Sequence, residues 1–257
     1  MRRINGLNRR RKIQTILSAA LLAGSTAPAF SQDWADIKNE ADDVIYTSEN
    51  RSTFYCGCSY TSHEDSDGSG SINDLDACGY DGGNNASSRA QRIEWEHIVP
   101  ASLMPVRQWA CWAGPDGSRG RCERENANAQ AMIFDLHNLA PSIGQVNQRR
   151  SNDRYADLPD ETSNFGSCQI EDDRGLFEPP PCHRGDVARV WFYMNDTYGV
   201  LIPDEEWNMF VEWSASDPIS PWEAEREDRI FAASGRRNPY VYGGGVDDAG
   251  SCEWERK

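Results

Sequence analysis

The chain has 257 residues, a length that suits one large domain or two small ones, with 26% charged and 38% hydrophobic residues. That balance excludes a disordered polyelectrolyte, and nine Trp, nine Tyr and eight Phe supply ample material for a core. A formal net charge of −15 excludes a uniformly basic surface and repels polyanions at long range.

The first thirty residues differ from the rest. Arg2, Arg3, Arg9, Arg10, Arg11 and Lys12 form a basic start, and residues 13–24 are an apolar run. Ala27-Pro28-Ala29 then offers a small-x-small cleavage signal, with Ala29-Phe30-Ser31 as the alternative. This layout predicts a secretory signal peptide over residues 1–29, cut as late as 31, and one mature domain over 30–257. The apolar run is too short to span a bilayer, and no later stretch reaches about 20 apolar residues, so no membrane association is expected after cleavage. The leader holds six of the 26 basic residues and none of the 41 acidic ones, which leaves the mature chain near −21. Its only lysines are Lys38 and Lys257, and such an acidic, lysine-poor surface suits salty surroundings, where screening shortens repulsion.

Trp34, Ile37, Ala41, Val44 and Ile45 follow helical spacing, so a helix opens the mature domain. Residues 62–85 are polar, acidic and Gly-rich and read as loop. Residues 92–99 are short, apolar-rich and closed by Pro100, which fits a strand. Residues 113–128 read as a long loop and 129–139 as helix. Val187, Val190, Trp191, Met194 and Tyr198 mark one face of a helix stopping at Gly199. Trp207, Phe210 and Val211 suggest another. Ser220-Pro221-Trp222-Glu223 is a capping box with Pro at the first helical position, opening a helix to Gly235. No repeat or long linker interrupts the chain. The expectation is a mixed, helix-rich α+β single domain.

All eight cysteines lie beyond the leader: Cys56, Cys58, Cys78, Cys111, Cys122, Cys168, Cys182 and Cys252. An even number in an exported chain implies disulfides, and paired CxxC spacings for zinc are missing.

The motifs Arg92-Ile-Glu-Trp-Glu-His-Ile-Val-Pro-Ala101, Asp135-Leu-His-Asn-Leu-Ala-Pro-Ser-Ile-Gly144, Asn147 with Arg150-Ser-Asn152, and Arg184-Gly-Asp-Val-Ala-Arg189 closely resemble the bacterial endonuclease I family. Phe54-Tyr-Cys-Gly-Cys58, Ala77-Cys-Gly-Tyr80, Glu227-Asp-Arg-Ile230 and Asn238-Pro239 extend the resemblance over nearly the whole mature chain. It implies a ββα-metal (His-Me finger) site and an exported, periplasmic or secreted endonuclease. That enzyme would cut DNA, and also RNA, without sequence preference, acting as a monomer and leaving 5′-phosphate ends. It further implies His97 as general base, Glu96 and Asn138 as ligands of one Mg²⁺, and Arg119 as the group on the scissile phosphate. The chemistry suits these residue types. Imidazole titrates near neutrality, hard oxygens take Mg²⁺, and a guanidinium forks onto phosphate.

Other readings accompany these. Arg149, Arg150 and Arg154 either follow the nucleic-acid backbone or form ion pairs. His137 is expected to hydrogen-bond structurally, His63 and His183 to lie in loops, and Trp95 to sit in the core. Adjacent strand residues point to opposite faces, so Glu96 and His97 call for a bend, bulge or strand end between 94 and 99.

Where the family has a Cys in the Trp222 helix, this chain has Ala224, and Cys182 appears instead. Cys182 therefore pairs with Cys252 or Cys168, and Cys111–Cys122 would close the Arg119 loop. The run from Asp65 to Asp76 also fits a twelve-residue Ca²⁺ loop, with Asp65, Asp67, Ser69, Ser71, Asn73 and Asp76 as ligands of a structural Ca²⁺. That loop suggests the alternative, a non-catalytic Ca²⁺-stabilised binding protein on a nuclease scaffold.

Overall fold

The computed structural model describes residues 32–63, 68–82, 87–159 and 165–256, so the expected leader and the first two calcium positions, Asp65 and Asp67, lie outside the described residues. Helix α1 (Trp34–Glu40) starts where Asp33 accepts from the amides of Ala35 and Asp36, and Asp36 returns a bond to Asp33 in a reciprocal capping box. The chain then widens into a π turn, with the Tyr46 amide donating to the Ala41 carbonyl at 2.9 Å. The widened turn keeps Ala41 and Ile45 in the core but rotates Val44, expected on the buried face, into solvent.

Part of the expected acidic loop is a hairpin: β1 (Tyr60–Ser62) pairs antiparallel with β2 (Gly70–Ile72). Strand β3 (Ile93–His97) forms where residues 92–99 were expected as strand. Residues 113–128 are a loop only in part, over 114–118. The short helix α2 (Ala110–Ala113) leads to α3 (Arg119–Glu125) and α4 (Ala127–Ile133). In α3 only Cys122 is buried, so hydrophobic periodicity gives no sign of it. It is held by the Ser118 cap, by Arg119–Glu123 and Arg121–Glu125 pairs one turn apart, and by the Cys111–Cys122 disulfide. α4 stops at Ile133 instead of running to 139, because Asp135 caps a separate turn over Leu136–Asn138.

Strand β4 (Leu139–Ile143) pairs antiparallel with β3 in unbroken register, from Ile93 opposite Ile143 to His97 opposite Leu139. Helix α5 (Gly144–Arg150) follows β4 directly and packs back on both strands. Beyond it lie β5 (Arg154–Tyr155), β6 (Glu171–Asp173) and β7 (Leu176–Glu178), in the order β5-β7-β6. Helices α6 (Arg184–Tyr198), α7 (Asp204–Ser216) and α8 (Pro221–Ser234) complete the domain. α6 is its central element, buried from Gly185 through Met194. Gly199 and Gly235 end α6 and α8 in the left-handed region, at φ +72° and +71°. The capping box at α8 is half made: the Ser220 hydroxyl accepts from the Glu223 amide, but the Glu223 carboxylate is drawn to Arg189.

The fold is thus a mixed α+β domain. Disulfides join Cys56–Cys168, Cys58–Cys78, Cys111–Cys122 and Cys182–Cys252, which resolves the Cys182 alternatives in favour of Cys252. Among the described residues no helix is long and apolar enough to cross a membrane.

Candidate active site

Among the described residues strand β3 has one ladder partner, β4, and a groove of about 530 Å³ opens beside it. Residues 92–97 all line that groove, together with Trp34, Arg119, Asn147 and Arg150. No bend or bulge occurs between Glu94 and His97. The pleat stays regular to His97 and the chain bends only at Ile98 and Val99. The expected irregularity between 94 and 99 is therefore present, but as a strand end and bend just after His97 rather than at Glu96, and the groove runs along the strand so that side chains from both faces line it.

On one face of β3, Glu94 and Glu96 stand two residues apart, and on the facing side of α5, Asn147 and Arg150 stand three apart. They meet as two rungs. Asn147 Nδ2 donates to Glu94 Oε2 at 3.0 Å, and Arg150 Nη1 donates to Glu96 Oε1 at 2.7 Å. Arg150 is fully buried and also donates to the carbonyls of His97 and Ile98 at 2.7 and 2.6 Å. It therefore fixes the end of β3 as well as the carboxylate. Tyr55 donates to the same Glu96 oxygen at 3.4 Å and shares a 2.7 Å hydrogen bond with Tyr155.

Burial pushes the Glu96 carboxyl up to about 7, against the opposing pull of Arg150. Burial also acts to raise Glu94, but hydrogen bonds from Arg89 and Arg92 outweigh it and hold that carboxyl below the usual range. The hydrogen bonds described for Glu96 all end on Oε1, and none described for Asn147 ends on its Oδ1. A carboxylate oxygen and an amide oxygen thus remain in the groove. These hard donors fit a cation such as Mg²⁺.

His97 lies on the other face. Its Nε2 sits 2.8 Å from the Ile133 carbonyl, and its ring stacks on Trp34 at 5.3 Å and 7°. A carbonyl only accepts, so Nε2 carries the proton. Burial pushes the imidazole down to about 4, which leaves Nδ1 with a lone pair at neutral pH. Arg119 opens α3, one residue after its cap. Its guanidinium lies 5.7 Å from the Trp34 ring and pairs with Glu123 at 2.9 Å. Trp34 therefore touches both the imidazole and the guanidinium.

The structure brings Glu96, His97 and Arg119 to one groove but not Asn138. That residue is completely buried, its Oδ1 accepting from the Val99 amide at 2.6 Å and its Nδ2 donating to the Val99 carbonyl at 3.0 Å. Asn147 stands in the groove where Asn138 was expected. The three arginines whose role was open are all ion-paired: Arg149 with Asp172, Arg150 with Glu96 and Arg154 with Glu206.

His137 is buried between Glu227 and the Arg236 carbonyl, a structural position as expected. Trp95 is in the core as expected. His183 is no loop residue, being buried against Phe54 at 4.3 Å.

Four of the six expected calcium positions lie among the described residues. Ser69 and Ser71 bond the His63 ring, Asn73 bonds Thr61, and Asp76 lines a separate cleft. His183, Cys252 and Glu255 lie close together, but the Cys252 sulfur is spent in its disulfide.

The family model for Endonuclease I matches residues 30–243. The chain belongs to the Endonuclease I family. An endonuclease-1 of Buchnera aphidicola (subsp. Acyrthosiphon pisum, strain APS) is 40% identical over 192 residues, covering 74% of this chain and 73% of the relative. An extracellular deoxyribonuclease of Aeromonas hydrophila is 34% identical over 231 residues, covering 88% and 96%. A periplasmic deoxyribonuclease of the same organism is 34% identical over 230 residues, covering 88% and 93%. Family membership makes the groove the place to look for phosphodiester chemistry.

Proposed function

We propose that this protein is an exported, monomeric, Mg²⁺-dependent endonuclease that cuts DNA, and also RNA, without sequence preference and leaves 5′-phosphate ends. The observation that carries the reading is the His97 ring. Its Nε2 proton is committed to Ile133, and its Nδ1 lone pair shares a groove with Glu96, Asn147 and Arg119.

In this reading Nδ1 takes the proton from the attacking water, and Ile133 and Trp34 hold the ring plane. Glu96 and Asn147 hold the cation, with Asn147 in the role first expected for Asn138. When bound, the cation supplies the positive charge that the leaving 3′-oxygen needs. Arg119 takes the scissile phosphate through its exposed guanidinium, and the Cys111–Cys122 disulfide limits how far α3 can move. Two antiparallel strands followed directly by α5 support a ββα-metal arrangement. The Aeromonas relatives are named extracellular and periplasmic, which supports export.

Nicking of supercoiled plasmid, with Mg²⁺ or with EDTA, tests the proposal. Removing a positioned base costs about 10²–10⁴ in rate, so His97→Ala should lose that much. Cutting by His97→Ala at the rate of the unaltered protein overturns the assigned base. Undiminished cutting in EDTA overturns the metal dependence. A parallel assay on single-stranded RNA reads the second substrate.

A further inference from the structure

The side chain of Asn147 raises a question that its position alone does not answer. An Asn amide keeps almost the same shape when turned by half a revolution, yet only its oxygen can ligate a divalent cation. Some neighbour must decide which atom faces the groove.

Glu94 is that neighbour. Its Oε1 accepts from Arg89 Nε at 2.8 Å and from Arg92 Nε and Nη2 at 3.1 and 2.8 Å. Its Oε2 accepts from Arg89 Nη2 and, at 3.0 Å, from Asn147 Nδ2. A carboxylate between two guanidiniums is an acceptor only, so it tolerates the nitrogen of Asn147 and repels the oxygen. Oδ1 is thereby turned away from Glu94, and it has no hydrogen-bond partner among the described residues. Both oxygens of Glu94 are saturated, which explains why a carboxylate lining the groove is not itself a ligand. The fit is close. A Cβ on Gly144, the first residue of α5, would stand 2.7 Å from the Arg89 carbonyl and 2.9 Å from Glu94 Oε1.

We propose that Glu94, clamped by Arg89 and Arg92, is a positioning residue that orients the Asn147 amide so that its oxygen faces the divalent cation; this rests on Asn147 being a ligand, as argued above. The device joins three elements: the turn before β3 supplies Arg89, β3 supplies Glu94, and α5 supplies Asn147.

The test is Mn²⁺ affinity, read from the electron paramagnetic resonance of the free ion on purified, folded protein without nucleic acid, so that turnover plays no part. Glu94→Gln keeps the shape but can accept or donate, so the Asn147 amide loses its bias. Affinity should fall about tenfold or more, the usual cost of removing an outer-shell partner. In the double variant E94Q/N147D the carboxylate on α5 offers an oxygen in either orientation and accepts from the amide introduced on β3. Affinity should then return to within about threefold of the unaltered protein. Equal losses in E94Q and E94Q/N147D mean that Glu94 acts only through packing, and overturn the inference.

E94Q binding within about twofold of the unaltered protein, while Asn147→Ala abolishes binding, also overturns the inference but leaves the ligand assignment standing. Asn147→Ala binding Mn²⁺ normally overturns that assignment. Circular dichroism accompanies each variant. If E94Q does not fold, Glu94→Asp, which keeps the charge with one methylene less reach, must weaken binding about fivefold or more. Unchanged affinity there overturns the proposal.

Discussion

Arg150 and Arg189 are both buried, and each holds carboxylates inside this protein. Arg189 binds Glu223 through two contacts at 2.7 and 2.6 Å, Asp186 at 3.0 Å and the Asp217 carbonyl at 2.8 Å. His183 completes the cluster, 3.3 Å from Asp186 and 3.9 Å from Glu255. Burial raises the carboxyls of Asp217 and Glu255 to about 7, as it does that of Glu96 beside Arg150. By perturbed titration alone the Arg189 cluster would be the stronger candidate site. The difference lies in what is left over. Around Arg189 the charged groups pair among themselves and with backbone, and the nitrogen left without a hydrogen-bond partner, His183 Nε2, is buried, whereas beside Arg150 a carboxylate oxygen, an amide oxygen and an imidazole nitrogen remain uncommitted in a groove. Unspent ligand atoms facing an opening mark the site better than burial or charge.

The largest expected effect tests this contrast directly. Arg189→Met leaves Asp186, Asp217 and Glu223 without their cation and should cost about 3–5 kcal/mol in urea unfolding, with plasmid nicking per folded molecule unchanged. A variant that folds normally but no longer nicks breaks the comparison. Asn138→Ala strips partners from a buried N–H and C=O of Val99 and should cost about 1–3 kcal/mol of stability. Its Mn²⁺ affinity should stay normal, and a stable variant that fails to bind Mn²⁺ would return the ligand role to Asn138.

Trp34→Ala removes the ring that touches both His97 and Arg119. It should lower kcat for nicking about tenfold, or about 1.4 kcal/mol, and Trp34→Phe should restore most of it. Equal rates in Trp34→Ala and the unaltered protein would reduce Trp34 to packing.

The smallest effect is pH-dependent. Asp217 and Glu255 are raised to about 7 in the folded chain, and His183 is raised as well. The folded state therefore binds protons that the unfolded state has released. The resulting stability is full below the unfolded values and is lost as pH rises through the folded ones. His97 and His137, pushed down to about 4, contribute with the opposite sign, but their share is complete above their ordinary value of 6.5. In EDTA the Tm should accordingly drop by a few degrees between pH 6.5 and 8.5. A Tm that rises over that window would mean that the cluster is not buried as described.

Much of this was legible in the sequence. The strand at 92–99, the helices ending at Gly199 and Gly235 and the motif around Glu96 and His97 follow from periodicity, caps and resemblance. α3 was not legible, because its stability comes from ion pairs and a disulfide rather than an apolar stripe. The choice between Asn138 and Asn147 was also hidden, since both lie in motif-like runs and only the packing of α5 on β3 brings one to the groove. A signal existed nonetheless: Glu94 and Glu96 share a strand face, and Asn147 and Arg150 share a helix face. Placing those two faces together predicts both rungs. Likewise, only the fold supplies Asp172 and Glu206, the partners for the ion-pairing alternative of Arg149 and Arg154.

The Arg150–Glu96 contact has a consequence for how the protein is made. A small domain folded around a structural metal depends on supply of the ion, because ligand charges repel until it arrives. Here the guanidinium already balances the carboxylate within a core closed by four disulfides. Folding and cation loading are therefore separate equilibria. The chain can mature wherever its cysteines oxidise and wait as an assembled, unloaded form, answering the divalent-ion content of its surroundings within the time of ligand exchange rather than of refolding.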